Sequence, residues 1–333
     1  MVRRSTIKAL VIGASGHIGN AIVRAFLNRN YRITACGRRR VPPANLSDLP
    51  VRYLSGDTEK SGQLDKWIAG HDLVVDAAAP YPLNLSSPVS EAGKDPIAHA
   101  ERRTRLLLDA VSGNKARLVY VGSFVTLVRP RTSAQRVKHQ AMRLAHPYFE
   151  VKELIESQML DASRRGIPVL IANPTYCLGP WDLHDRDLCT IPLLLRGEMP
   201  SSITQMLNVI DVRDVAAAIG AALDMERYGE PIQMGGHDIP TEKLYSLICE
   251  LGGVPPPRIS TATTLALTGA YAMELMLGTI GEKTLLPAGG MMMATLFDYM
   301  VSGKQLSELG VTPRPLSETI VDAIKWYRKI GYC

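Results

Sequence analysis

The segment GASGHIG at residues 13–19 constrains this chain more than any other stretch. It follows an apolar run, IKALVI at 7–12, and opens into a helical pattern over 18–29. Glycines repeating every third residue between a strand and a helix ask for a sharp turn that leads at once into helix. Gly13 permits the turn, Gly16 lets a ligand approach the backbone, and Gly19 lets the helix lie close on the sheet. The start of such a helix, from His17 through Ile18, carries free N–H groups and positive potential, which suits a pyrophosphate. Ser15 and His17 are candidate extra donors.

The pattern then repeats. Apolar strands are predicted at 31–36, 51–54, 72–77, 118–122 and 167–174, with helices at 61–69, 96–112 and 147–165. Strands apolar throughout, alternating with helices, predict an α/β chain with a doubly wound parallel sheet of the Rossmann type. Residues 80–96 read as a loop. Beyond 180 the alternation fades into a helix near 187–196, a strand and helix over 207–223, a strand at 230–235 and a last helix at 316–331. The expected division is a dinucleotide-binding core over 1–173, to which 207–235 return. A smaller, mostly helical substrate-binding lobe takes 174–206 and 236–333. Ligands are expected at the carboxyl edge of the sheet, between the two.

Composition narrows the class. The 333 residues are 46% hydrophobic and 21% charged, as in ordinary globular proteins. The formal charge of +6 is concentrated in Arg38–Arg40 and in Arg129, Arg131, Arg136, Lys138 and Arg143. No aromatic residues interleave with a basic stripe, so nucleic acid is not an expected partner. Five unpaired-looking cysteines exclude a zinc motif and suit a reducing, cytoplasmic compartment. Residues 262–281 are almost all apolar or small, but Glu274 interrupts them, so a buried helix is expected rather than a membrane span. Membrane-surface contact and a homodimer stay open.

Tyr148 and Lys152 stand four apart at the start of a helix, so they share a face. A free phenol titrates near pH 10, too high for easy proton exchange at neutrality. A neighbouring ammonium and a nicotinamide charge lower it. Ser123, just past the strand at 118–122, reaches the same edge, with Thr126 as a fallback donor. Ala77–Ala79 are small enough to leave a dinucleotide room, Ala78 among them. The strand at 31–36 ends in CGRRR with no acid to accept from ribose hydroxyls. Arg38 can instead pair with a 2′-phosphate, so NADP (NADPH) is the expected cofactor. Asp57 is placed to accept from the adenine amino group.

With GASGHIG, GD at 56–57, VYVGS at 119–123, YFEVKELIE at 148–156, NPTYCLGPWD at 173–182 and NVIDVRDVA at 208–216, the chain resembles the extended short-chain dehydrogenase/reductase family, within the NAD-dependent epimerase/dehydratase superfamily. It looks most like the branch of dihydroflavonol reductases, 3β-hydroxysteroid dehydrogenases and hopanoid-associated epimerase-like proteins. The resemblance spans nearly the whole chain. It implies Ser123, Tyr148 and Lys152 as the catalytic set, Arg38 at the 2′-phosphate, and Pro174 and Thr175 beside the nicotinamide. Two departures stand out. The family often has His where this chain has Asp76, and its usual structural Asn corresponds to Ala100.

Sugar epimerases of the family carry an Arg before the NVIDVRD-like segment, and the dehydratases an acid after the serine; this chain has neither. Tyr81, Phe124, Tyr176, Trp181, Leu183, Met199 and Met291–Met293 give the expected cleft an apolar lining. The expectation is an NADPH-dependent reductase of a mainly apolar or aromatic carbonyl compound, with Tyr148 as proton donor and no metal. A sugar epimerase, a steroid-type dehydrogenase and a redox-silent binding protein are the alternatives.

Overall fold

The computed structural model describes residues 6–60, 62–79, 95–128, 130, 132–145, 147–183, 189–199, 201–262 and 304–333, with scattered positions between 265 and 276. Tyr81, Arg129, Arg131, Met291–Met293 and most of the apolar stretch 262–281 lie outside the described residues.

Seven strands form one parallel sheet: β1 Lys8–Ile12, β2 Arg32–Gly37, β3 Arg52–Ser55, β4 Leu73–Asp76, β5 Arg117–Val121, β6 Val169–Pro174 and β10 Pro231–Met234. Their spatial order is β10-β6-β5-β4-β1-β2-β3. The order reverses at β1, so crossovers after it cover one face and those after β4 the other.

The side-chain alternation of β1 shows why both faces are apolar. Ala9 and Val11 join a core with Ala21, Ile22 and Phe26 of helix α1 (His17–Asn28) and with Val215, Ala218 and Ile219 of α7 (Val212–Asp224). Leu10 and Ile12 point the other way. They pack with Leu64 and Trp67 of α2 (Gln63–Ile68), Leu107 and Val111 of α3 (Pro96–Gly113), and Ile155 and Met159 of α5 (Pro147–Arg164). The sheet is therefore doubly wound.

The helix starts follow local chemistry. Pro96 opens α3, and the Asp95 carboxylate accepts from the N–H groups of Ile97 (2.9 Å) and Ala98 (3.2 Å). Pro147 is likewise the first residue of α5. A helix unforeseen in the sequence, α4 (Ser133–Ala145), precedes it. Its polar, basic composition hid it, although it carries helical periodicity.

The smaller lobe has its own core. Helices α6 (Thr190–Leu195) and α8 (Thr241–Gly252) and the C-terminal helix Leu316–Lys329 pack around Leu193, Leu244, Ile248, Ile320 and Ile324. Strands β7 (Tyr176–Leu178), β9 (Met206–Asp211) and β11 (His237–Pro240) form a separate three-stranded sheet. Of the 207–235 segment, α7 and β10 thus lie on the main sheet while β9 does not. Asp211 caps α7 by accepting from Arg213 N–H (2.7 Å) and also accepts from Thr319 Oγ1 (2.7 Å). The Arg213 side chain in turn donates to Asp322 (2.7 Å), so the DVRD segment fastens the last helix. Strands β8 (Ser202–Ile203) and β12 (Ser260–Thr261) pair in a short parallel ribbon. Among the described residues, no helix is long and apolar enough to cross a membrane.

Candidate active site

Because the seven strands are parallel, their carboxyl ends bring Gly13, Arg38, Asp57, Ala78, Ser123 and Thr175 to one edge. Gly13 has φ +80, and a Cβ there would stand 2.7 Å from the Ala77 carbonyl oxygen. A Cβ on Gly19 would meet the Gly13 carbonyl oxygen at 2.1 Å. Both positions therefore demand glycine for packing alone. Gly16 differs: its Cβ would meet only that same oxygen, at 3.3 Å. Packing within the turn therefore constrains residue 16 less than the other two.

Gly16 is the N-cap of α1, which has neither a side-chain cap nor an acid in its first turn. The uncapped start fits an anionic group, and the glycine cradle leaves it room. Asn45, almost wholly buried, braces this turn. Its Nδ2 donates to the carbonyl oxygens of Ser15 (3.0 Å) and Trp181 (3.0 Å). Nothing local in the chain points to Asn45, because its partners lie 30 residues upstream and 136 downstream. His17 is buried, with Nδ1 3.9 Å from the Asp182 carboxylate, and Ile18 is half-buried.

Further along the edge, Arg38 is exposed. Asp57 Oδ1 accepts from Glu59 N–H (3.0 Å) within its own turn, which leaves Oδ2 for a ligand. Pro174 ends β6, and Thr175 N–H donates to the Met234 carbonyl (3.0 Å), which ties it to β10.

The Tyr148 hydroxyl donates to Ser123 Oγ over 3.0 Å, and both side chains are buried. Lys152 Nζ lies 5.9 Å from the centre of the Tyr148 ring. Ser123 is held from behind: its N–H donates to Asn173 Oδ1 (3.1 Å), while Asn173 Nδ2 donates to Glu156 Oε2 (2.6 Å). Thr126 Oγ1 also donates to that carboxylate (2.6 Å).

Lys152 is 3% exposed. Burial pushes its ammonium down to about pKa 8, opposed by the Asp76 carboxylate and assisted by Arg103. Asp76, the last residue of β4, is fully buried. It accepts from both guanidinium nitrogens of Arg103, at 2.8 and 2.7 Å. Burial works against its carboxylate, but Arg103 prevails and holds it below its ordinary range. Ala100 is buried and brings no polar group. Arg103, one turn further along α3, supplies the polar contact on that side. Sequence reasoning missed Arg103, since an arginine in the middle of a basic helix reads as surface.

Of the basic cluster near α4, Arg136 is exposed and Arg143 pairs with Glu153 of α5 at 2.5 Å. Among the described residues, no group of His, Cys, Asp and Glu could hold a metal ion.

A glycine turn for a pyrophosphate, beside a phenol, a hydroxyl and an ammonium at the switch point of a parallel sheet, defines a nicotinamide-dependent enzyme class. The chain belongs to the NAD dependent epimerase/dehydratase family, whose model matches residues 9–235. It is an NAD(P)-dependent enzyme of the oxidoreductase/epimerase class. It is 28% identical to a Synechocystis protein named provisionally as a dihydroflavonol 4-reductase, over 97% of this chain and 95% of that one. It is 25% identical to sterol demethylase protein B of Methylococcus capsulatus, over 97% and 98%. A nucleoside-diphosphate-sugar epimerase from Pseudomonas aeruginosa shares the fold with a TM-score of 0.72 at 23% identity, covering 98% of this chain and 99% of its own.

The NADP expectation is corrected by the solved complexes of this fold, which hold NAD. A dTDP-glucose 4,6-dehydratase from Bacillus anthracis has TM-score 0.68 at 17% identity, with 97% of each chain covered. A UDP-glucuronic acid 4-epimerase from Bacillus cereus has TM-score 0.68 at 17% identity, with 97% and 100% covered. The physical reason lies at Arg38. A guanidinium can also donate to neutral ribose oxygens, so a missing acid does not by itself amount to a 2′-phosphate site.

Proposed function

We propose that this enzyme moves a hydride reversibly between NAD and a secondary alcohol–ketone centre on a mainly apolar substrate, as a steroid-type dehydrogenase does. The observation that carries the reading is the buried Tyr148–Ser123 hydrogen bond with Lys152 beside it. Bound at the glycine turn, NAD supplies the hydride acceptor, and its reduced form the donor. In the oxidative direction Tyr148 accepts the hydroxyl proton. In the reductive direction it returns that proton to the carbonyl oxygen. Ser123 donates to the same oxygen as charge develops, and Asn173 and Glu156 fix its backbone. Lys152 favours the phenolate through its positive charge and is placed to hold the nicotinamide ribose.

The cofactor set in this reading is Gly13, Ser15, Gly16, His17, Ile18, Gly19, Asp57, Ala78, Lys152, Pro174 and Thr175. In this reading the smaller lobe takes the substrate. The apolar preference rests on the missing arginine before NVIDVRD; the core that Tyr148 shares with Phe124, Phe149, Leu178 and Met199 backs the site with apolar side chains.

A second reading, sugar epimerisation without net redox change, is favoured by the fold shared with the Pseudomonas epimerase. The test is absorbance of reduced cofactor with NAD plus steroid-like and aromatic secondary alcohols, against UDP- and dTDP-sugars. NADH formation with an apolar alcohol is expected. Conversion of a nucleotide sugar without NADH formation would replace this reading with the epimerase.

A further inference from the structure

The structure assigns Asp76 and Arg103 as positioning residues, a rigid buried charge couple beneath the active site that sets the electrostatic surroundings of the Lys152 ammonium. Its purpose rests on the hydride-transfer reading above; its geometry does not.

Asp76 ends β4 at the carboxyl edge, wholly out of solvent, and both its oxygens are engaged by the Arg103 fork. Oδ1 also accepts from Ala78 N–H (3.2 Å), so the carboxylate cannot swing. A bidentate pair with both members buried is rigid, and it is costly unless something uses it. α3, which carries Arg103, packs on α5, which carries Tyr148 and Lys152.

Lys152, buried on α5, is therefore an ammonium in a water-poor site that feels both a fixed anion and a fixed cation. At short range inside a protein each charge acts strongly. The carboxylate favours the charged amine, the guanidinium opposes it, and the carboxylate has the larger effect. The other titratable groups facing this place are Tyr148 and Glu156 on α5 and Tyr120 on β5, while Glu59 acts on Arg103. Tyr120 pairs in register with Asp76. Its buried hydroxyl has no hydrogen-bond partner among the described residues, and its phenol stays neutral well above its ordinary range. Ala100 contributes no polar group on this side.

The test follows Lys152 itself in the full-length protein. Protein labelled with [ε-13C]lysine is titrated by NMR, and the Lys152 signal is assigned by its loss in Lys152→Arg. Asp76→Asn is expected to lower the midpoint by about one pH unit or more, and Arg103→Met to raise it. Opposite signs are the signature, because general structural damage moves both variants the same way. Midpoints that stay at the wild-type value, or move together, overturn the assignment. Where a single variant does not fold, Asp76→Asn/Arg103→Met replaces the couple with a neutral pair. Its midpoint is expected to fall, by less than in Asp76→Asn, and an unchanged midpoint overturns the assignment. Turnover of an apolar alcohol with NAD is measured alongside. Shifts as stated without turnover sustain the couple and sink the hydride-transfer reading; turnover with an unmoved Lys152 sinks the couple alone.

Discussion

Over β1, β2 and β3 the carboxyl edge of the sheet is made of glycine, backbone and exposed side chains. Over β4, β5 and β6 it is made of buried polar and ionised groups: Asp76, Ser123 and Asn173, backed by Arg103, Lys152 and Glu156. The first half works by being small. The second works by being charged where water is scarce, and every charge there needs a partner. A cofactor proposed for the first half would rest mainly on the backbone of the glycine turn. Chemistry on the second depends on side chains from α3, α5, β4 and β6 meeting at fixed distances.

The largest expected effect tests the second half. Tyr148→Phe removes one hydroxyl, so NAD affinity should stay within about twofold while kcat falls about 100-fold or more. Near-normal kcat would place the proton donor elsewhere.

Next comes a gain of stability at the cost of function. Lys152 carries a folded-state pKa of about 8 against an ordinary 10.5, so the unfolded chain binds its proton more tightly. The resulting penalty on folding is full below about pH 8 and fades as pH rises toward 10.5. Lys152→Met should therefore be inactive and more stable at pH 7, by roughly 3 kcal/mol at most, with the gain vanishing near pH 10.5. Denaturant melts at the two pH values check it. Equal gains at both would show that burial of the charge is not the cause.

The first half divides more finely. Gly19→Ala places a methyl against the Gly13 carbonyl and should destabilise the fold by about 1–3 kcal/mol. Gly16→Ala meets no such wall, so Tm should move little while NAD binding weakens on the order of tenfold. The pair is separated by melting and by cofactor titration. Similar Tm losses in both would mean that Gly16 is a packing residue like Gly19.

The smallest effect is expected outside both halves. Arg143 is exposed and its partner Glu153 half-buried, so Arg143→Gln should change stability by less than about 0.5 kcal/mol and leave turnover intact. A marked rise in KM would give the basic cluster a role in substrate capture.

The contrast explains how much could be read in advance. GASGHIG and the Tyr148–Lys152 spacing were legible because each is a local device: a turn followed by a helix, and two residues on one helical face. Ser123 was legible because a strand end fixes its place. The Asp76–Arg103 pair was not, since its members lie 27 residues apart and their types alone suggest a turn and a surface helix. Asn45, Asn173 and Glu156 were hidden for the same reason. The NADP expectation failed differently. It read the absence of one residue as the presence of a ligand group, and exposed Arg38 does not discriminate between the two cofactors.

By itself the sequence determined the doubly wound sheet, since apolar alternation and glycine turns act within a few residues of chain. It also placed the glycine turn and the Tyr148–Lys152 face on the elements that carry them. The tertiary structure alone decided which charges stand beneath Lys152, and that Ser123 is held by Asn173 and Glu156. Such contacts form only when α3, α5 and the strands pack together, and their strength comes from the exclusion of water that this packing creates.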